Sequence, residues 1–218
     1  MEGPCPGGST SSRGAVGSYD GNRPIAVRPP ISLRVQTAIV TILAVFLPLW
    51  TVAAPAWGEG DELIGTPAPE LEVTEWVQSE PLSLAQLRGS VVLIRFWTDT
   101  CPFCSASAPY LADWHERYAR DGLVVIGLYH PKPPRPVEPE TVARAAAQLG
   151  LAFPIGLDLG WQNLRRFWQT GPPRSWTSVT FLIDRDGIIR FIHPGGAYSG
   201  EEAQTLEMAI ENLLARSA

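Results

Sequence analysis

The distribution of apolar and polar positions divides the chain near residue 60. Residues 1–34 are rich in Gly, Pro and Ser and show no apolar period, which predicts a disordered leader, because such a stretch buries too little surface to offset its ordering entropy. Residues 35–56 carry an uncharged apolar run of roughly twenty residues, enough to span a bilayer as a helix. From residue 63 to 218 the pattern becomes that of a folded domain. Leu71–Val77 alternates and predicts a strand, and Leu82–Leu87 predicts a short helix closed by Arg88-Gly89. Val91–Trp97 is a β-branched apolar run without alternation, as expected of a strand covered on both faces. A helix is predicted from Pro102 to Arg120, then a strand over Leu123–Tyr129, a Pro-rich loop over 131–139 and a helix from Glu140 to Leu149. A short strand at Phe153–Leu157 precedes an amphipathic helix around Trp161–Gln169. Thr180–Asp184 and Ile188–Ile192 flank Arg185-Asp186-Gly187, a hairpin signature. Ser199 with Glu202 forms a capping box that opens a last helix ending near Ala215. Strands alternating with helices, then a hairpin and a helix, predict an α/β sandwich with a mixed central sheet.

The flanks of the apolar run give it a direction. Arg13, Arg23, Arg28 and Arg34 precede it, and Glu59, Asp61 and Glu62 follow. The positive-inside rule places the N-terminus in the cytoplasm and the domain outside. Two readings of 35–56 stand. Ala54-Pro55-Ala56 before Trp57 has the small residues of a signal-peptidase site, and from Val27 onward the segment has the form of an ordinary signal sequence. The long leader and the length of the run fit an uncleaved anchor instead. Both export the domain, to the periplasmic side of a membrane.

Composition then removes function classes. With a formal net charge of -5, the chain lacks the basic surface that nucleic acid requires. Three cysteines cannot staple a disulfide scaffold, and Cys5 lies on the far side of the apolar run. A structural zinc site needs four ligands, usually from a second cysteine pair or two well-spaced histidines, and neither pattern occurs. Cys101-Pro102-Phe103-Cys104 is therefore read as redox-active, with no metal.

The residues around that pair resemble a known family. Ile64-Gly65-Thr66-Pro67-Ala68-Pro69, then Leu82 to Gly89, then Val91 to Cys104 are similar to the TlpA/ResA-type thioredoxin-like proteins, with their G-x-x-A-P entry, s-L-x-x-L-x-G helix and F-W-x-x-x-C-x-x-C strand end. Phe181 to Gly187 resembles the late strand and hairpin, and Pro109 matches the proline that kinks the active-site helix. The resemblance runs from about residue 63 to the C-terminus. It implies a thioredoxin-like three-layer α/β/α sandwich and an extracytoplasmic thiol–disulfide oxidoreductase. It also implies protein thiols or disulfides as substrates, an upstream membrane or periplasmic redox partner, a monomer, and no cofactor beyond a reversible Cys101–Cys104 disulfide.

The chemistry follows from placing Cys101 where a strand gives way to a helix. Unpaired N–H groups at a helix N-terminus stabilise a thiolate, and such settings lower a thiol pKa from about 8.5 towards about 3.5–7.5. Pro102 at the first helical position loses no hydrogen bond. Cys104, one turn on, is the resolving thiol and Cys101 the nucleophile.

Departures from the family pattern add candidates. The buried acid that some members carry three residues past the second cysteine corresponds to Ser107, and thioredoxin's buried aspartate corresponds to Arg95. An arginine beneath the thiols favours thiolate, so Arg95 is expected to depress the Cys101 pKa and to make the couple more oxidising than thioredoxin's; the alternative is that Arg95 pairs with a carboxylate. The family's cis-proline corresponds to Ser178, preceded by Trp176 and Thr177. A cis bond before a non-proline residue costs about 2.5–4 kcal/mol, so a trans peptide presenting the Thr177 and Ser178 hydroxyls is expected. His130 and His193 end strands near the site and are candidates for a general acid or pH-dependent charge, while His115 is expected in solvent. Trp97 and Trp176 are candidates to shield the disulfide.

Two other functions compete. A redoxin-type thiol peroxidase would use Cys101 on peroxide, but the P-x-x-x-[TS]-x-x-C pattern of such sites meets Ile94 where proline is needed. A copper-binding module would use Cys101, Cys104 and His130 or His193 as soft ligands, against the three-residue cysteine spacing usual in copper chaperones of this fold.

Overall fold

The computed structural model describes residues 58–216. The leader at 1–34, the apolar segment at 35–56 and Cys5 lie outside the described residues. Among the described residues no helix is long and apolar enough to cross a membrane.

Six strands form one mixed sheet in the order β1-β4-β3-β2-β5-β6. They are β1 (Trp76–Val77), β2 (Val91–Trp97), β3 (Leu123–Tyr129), β4 (Ile155–Leu157), β5 (Val179–Ile183) and β6 (Ile189–Pro194). Strands β2, β3 and β4 run parallel, β5 is antiparallel to β2, and β6 to β5. The helices are α1 (Pro102–Tyr118), α2 (Pro139–Gln148), α3 (Gln162–Phe167) and α4 (Gly200–Ala215).

Strand β2 is buried at every position, the reason its sequence reads as an unbroken apolar run rather than an alternation. Its side chains still alternate between two cores. Val91, Leu93 and Trp97 pack with residues of α1, α2 and α4, whereas Val92, Ile94 and Phe96 pack with Leu164, Phe167 and Trp168 around α3. That period of two gives the three layers. It also decides where Arg95 goes. Between Leu93 and Trp97, Arg95 must face α1, fully buried. The register extends that level into a row of Gly127, Arg95, Thr180 and His193 across four strands of paired backbone.

Two expected elements are corrected. Of Leu71–Val77 only Trp76–Val77 is strand, because its partner β4 offers just three residues and pairs through Ile155 and Gly156. Leu82–Leu87 is not a helix: residues 84–89 form turns. The Glu70 carboxylate accepts the N–H groups of Leu71, Leu84 and Ala85, so the donors of that stretch are satisfied without a helical ladder. The capping box at α4 is present: the Ser199 hydroxyl accepts from Glu202 N–H and the Glu202 carboxylate from Ser199 N–H.

Candidate active site

Strand β2 ends at Trp97, a three-residue loop follows, and Cys101 caps α1 in an extended conformation with Pro102 at the first helical position. Cys101 is half-buried and Cys104 only 3% exposed, both as free thiols. The backbone carbonyl of Cys101 accepts the N–H of Cys104 at 3.0 Å, which fixes the turn linking them. A reachable sulfur ahead of a buried one is an order that disulfide exchange can use.

The two thiols are pushed in opposite directions. Partial burial raises the Cys101 pKa, but the Cys104 N–H, the Cys104 thiol, the Phe103 N–H and the charge of Lys132 together outweigh it, leaving the pKa below the ordinary cysteine value. Deeper burial dominates at Cys104 and holds its pKa above the ordinary value, against the opposing pull of the Arg95 charge and the Ser178 hydroxyl. The environment therefore favours ionisation at Cys101 and opposes it at Cys104, three residues on.

Cys101 opens into a cleft of about 410 Å³. Pro102, Trp176, Thr177 and Ser178 line it, as the sequence placed them, together with Phe103, Lys132 and Gly196, which it did not. Phe103 and Trp176 are 54% and 46% exposed, leaving an apolar rim around the sulfur. The cleft wall at Gly196 is close: a Cβ there would stand 2.5 Å from Phe103 Cβ and 3.4 Å from Cys101 Sγ. Only glycine lets the loop after β6 approach Cys101 so nearly. Ser178 takes a trans peptide, since Lys132–Pro133 is the cis bond among the described residues. Its buried hydroxyl sits 3.2 Å from Cys104 Sγ instead of facing the cleft, while Thr177 Oγ1 is left without a partner.

Arg95 is corrected in its partner. Among the described residues no carboxylate pairs with it. The guanidinium donates to Thr180 Oγ1 at 2.9 Å, to Gly195 O at 2.9 Å, to Ser107 Oγ at 3.2 Å and to Gly196 O. Its charge acts on Cys104, and the cation acting on Cys101 is Lys132.

Three predicted contributors do not reach the cleft. Trp97 lies over Gly127 and against Tyr129, within the core beside Cys104, so it shields no exposed sulfur. His130 is fully buried between Phe96 and Trp161, and burial with the nearby Lys132 charge pushes its pKa down to about 3. It is neutral at ordinary pH and no general acid. His193 stacks on Tyr198 at 4.8 Å, lies 3.3 Å from Glu202 Oε1, and has its pKa lowered by burial. His115, expected in solvent, packs against Phe153. The residues missed had faint signals: Lys132 is the single lysine of the chain, three residues past a strand end, and Pro194-Gly195-Gly196 is a backbone built for close approach.

Among the described residues no group of three or more His, Cys, Asp or Glu could hold a metal ion; copper at the cysteines would lack the histidine that the copper reading needs.

A family model described as the AhpC/TSA family matches residues 64–192. Protein DipZ of Mycobacterium tuberculosis is 37% identical over 150 residues, which are 65% of this chain and 20% of DipZ. The thiol-disulfide oxidoreductase ResA of Bacillus anthracis is 30% identical over 126 residues, 58% of this chain and 66% of ResA. The chain thus spans about a fifth of the length of DipZ. Among solved structures, a thiol-disulfide isomerase from Corynebacterium glutamicum superposes with a TM-score of 0.55 at 27% identity, covering 69% of this chain and 98% of that one.

Proposed function

We propose that this chain, which belongs to the AhpC/TSA family, is a thiol–disulfide oxidoreductase exchanging disulfides with proteins outside the cytoplasm through Cys101 and Cys104. The observation that carries the proposal is the pairing of a half-exposed, thiolate-favouring Cys101 with a buried Cys104 one helical turn behind it. In the oxidising direction a substrate thiolate attacks Cys101 Sγ, the Cys101–Cys104 bond breaks, and Cys104 leaves with the electron pair. A second substrate thiolate then attacks the substrate sulfur of the mixed disulfide and expels Cys101. The reducing direction is the reverse. The open cleft with Phe103 and Trp176 on its rim supports a protein segment as substrate, because an extended chain needs an uncovered sulfur and an apolar wall to rest on. A lowered Cys101 pKa stabilises the reduced form and so shifts the couple in the oxidising direction relative to a pair of unperturbed thiols. The uncharged run at 35–56 and its flanking charges support export.

The peroxidase alternative is disfavoured by Ile94, which stands where the peroxide-site pattern needs proline. It is a fully buried ladder residue paired with Ile126 and Phe181, so β2 offers no loop there to close over a peroxide.

Dithiothreitol-driven reduction of insulin tests the proposal. Activity that Cys101→Ser abolishes supports it. Peroxide consumption with a thiol donor, without insulin reduction, would replace it by the peroxidase reading. Protease accessibility of the domain in intact spheroplasts tests the location; protection there would contradict export.

A further inference from the structure

A buried cation normally has an anion beside it, because an unpaired charge out of water is expensive. Arg95 is fully buried, yet its four hydrogen-bond partners are two hydroxyls and two backbone carbonyls, all neutral. The ring of Tyr198 lies 5.3 Å from its guanidinium carbon, which favours the cation without neutralising it. The guanidinium faces the same side of the sheet as Cys104. It donates to Ser107 Oγ at 3.2 Å, and that hydroxyl donates to the Cys104 carbonyl at 3.0 Å. The reaction itself supplies an anion at this place: each time the Cys101–Cys104 bond opens, Cys104 becomes a thiolate in a site nearly closed to water.

We propose that Arg95 is the counter-charge of the Cys104 sulfur, a positioning residue that speeds both opening and closing of the Cys101–Cys104 bond. The inference rests on the oxidoreductase reading. In opening, the electron pair of the broken S–S bond goes to Cys104 Sγ, and the Arg95 charge lowers the energy of that leaving group. In closing, Cys104 reacts through its thiolate form, its proton going to solvent while the Ser178 hydroxyl, 3.2 Å away, donates to the sulfur. The thiolate attacks Cys101 Sγ and expels the thiolate bound there, which takes up a proton from solvent. Both steps pass through the same Cys104 anion, so one charge accelerates both. The equilibrium at neutral pH moves little, since Cys104 rests there as a thiol in the reduced protein and as a disulfide in the oxidised one. The groups around Cys104 are Arg95 from β2, Cys101 from the start of α1, Ser178 before β5, and Tyr198 with His193 behind the guanidinium; Lys132 stands on the cleft side. Arg95 supplies the buried charge.

The test is the two-phase reaction of the reduced protein with 5,5′-dithiobis(2-nitrobenzoate). The first thionitrobenzoate is released when Cys101 attacks the reagent and forms a mixed disulfide. The second is released when Cys104 attacks Cys101. Arg95→Gln is expected to slow the second phase by on the order of tenfold and shift its pH profile to higher pH, because a thiol's reactivity follows its thiolate fraction. The first phase should stay close to that of the unaltered protein. Arg95→Lys should restore most of the second phase. Arg95→Met, which removes the charge without burying an amide, is the second variant should Arg95→Gln not fold. A second phase unchanged in the uncharged variants overturns the proposal, as does an equal slowing of both phases, which would make Arg95 only the clamp of the Gly195–Gly196 loop. Absence of both phases in the unaltered protein would instead sink the oxidoreductase reading.

Discussion

The closeness of Gly196 to Cys101 makes Gly196→Ala an informative perturbation. The added methyl would stand 2.5 Å from Phe103 Cβ and 3.4 Å from Cys101 Sγ and the Phe103 carbonyl carbon, whereas carbons rest about 3.5–4.0 Å apart. The gap must therefore open by about 1 Å. The loop cannot easily retreat, since Arg95 holds the carbonyls of Gly195 and Gly196 from below and Gly195 N–H donates to Ser178 O at 2.9 Å. The first turn of α1 yields instead, carrying Cys101 with it. Overpacking of this kind costs about 1–3 kcal/mol, which for a domain of this size lowers Tm by roughly 2–12 °C. A displacement near 1 Å can cost about a hundredfold in a reaction that depends on alignment, so the Cys101 phase with the chromogenic disulfide should slow by on the order of tenfold or more. Gly195→Ala is the control. Its φ of +109° makes any side chain strained, but the new Cβ meets only His193 Cε1, at 3.8 Å. Its backbone strain of about 1–3 kcal/mol should match the loss of stability while sparing the rate. Equal rates in the two variants, or an unchanged Tm for Gly196→Ala, would refute the packing of this loop on Cys101.

Two more outcomes follow from the buried polar groups. His130 has a folded-state pKa of about 3 against about 6.5 unfolded, so below pH 6.5 the unfolded chain binds the extra proton. Stability is then present above pH 6.5 and is lost as pH falls towards 3, at about 1.4 kcal/mol per unit for that one group. Urea midpoints between pH 7 and pH 5 should fall for the unaltered protein and less steeply for His130→Leu; parallel slopes would show that His130 is not the buried neutral group described. Ser178→Ala removes the hydroxyl beside Cys104 Sγ and should slow ring closure by roughly tenfold, about the worth of a hydrogen bond to a charged group. Stopped-flow separates the phases, and a slowed Cys101 phase in that variant would contradict the assignment.

What the sequence made legible was local. Val91–Trp97 and Leu123–Tyr129 read as strands because both faces are buried, and the Ser199–Glu202 box marked the start of α4 because capping is a short-range pattern. The Cys-Pro-Phe-Cys turn was equally plain. Long-range decisions were not. The turns at 84–89 depend on Glu70, fourteen residues from Leu84, and the shortness of β1 depends on the length of β4. Arg95 was picked out as a charge beneath the thiols, but which cysteine it serves depends on strand register and on Ser107 across the interface with α1. His130 and His193 were placed near the site by strand ends alone. Side-chain direction and the aromatic neighbours Phe96, Trp161 and Tyr198 decided their roles.

A redox titration in glutathione buffers, quenched with acid and followed by alkylation and mass analysis of the peptide carrying both cysteines, bears most directly on whether Cys101 and Cys104 interconvert as one couple. The expected result is a single two-electron transition in which both thiols disappear together. Independent loss of the two thiols, or glutathione retained on Cys101 with Cys104 still free at equilibrium, would contradict it.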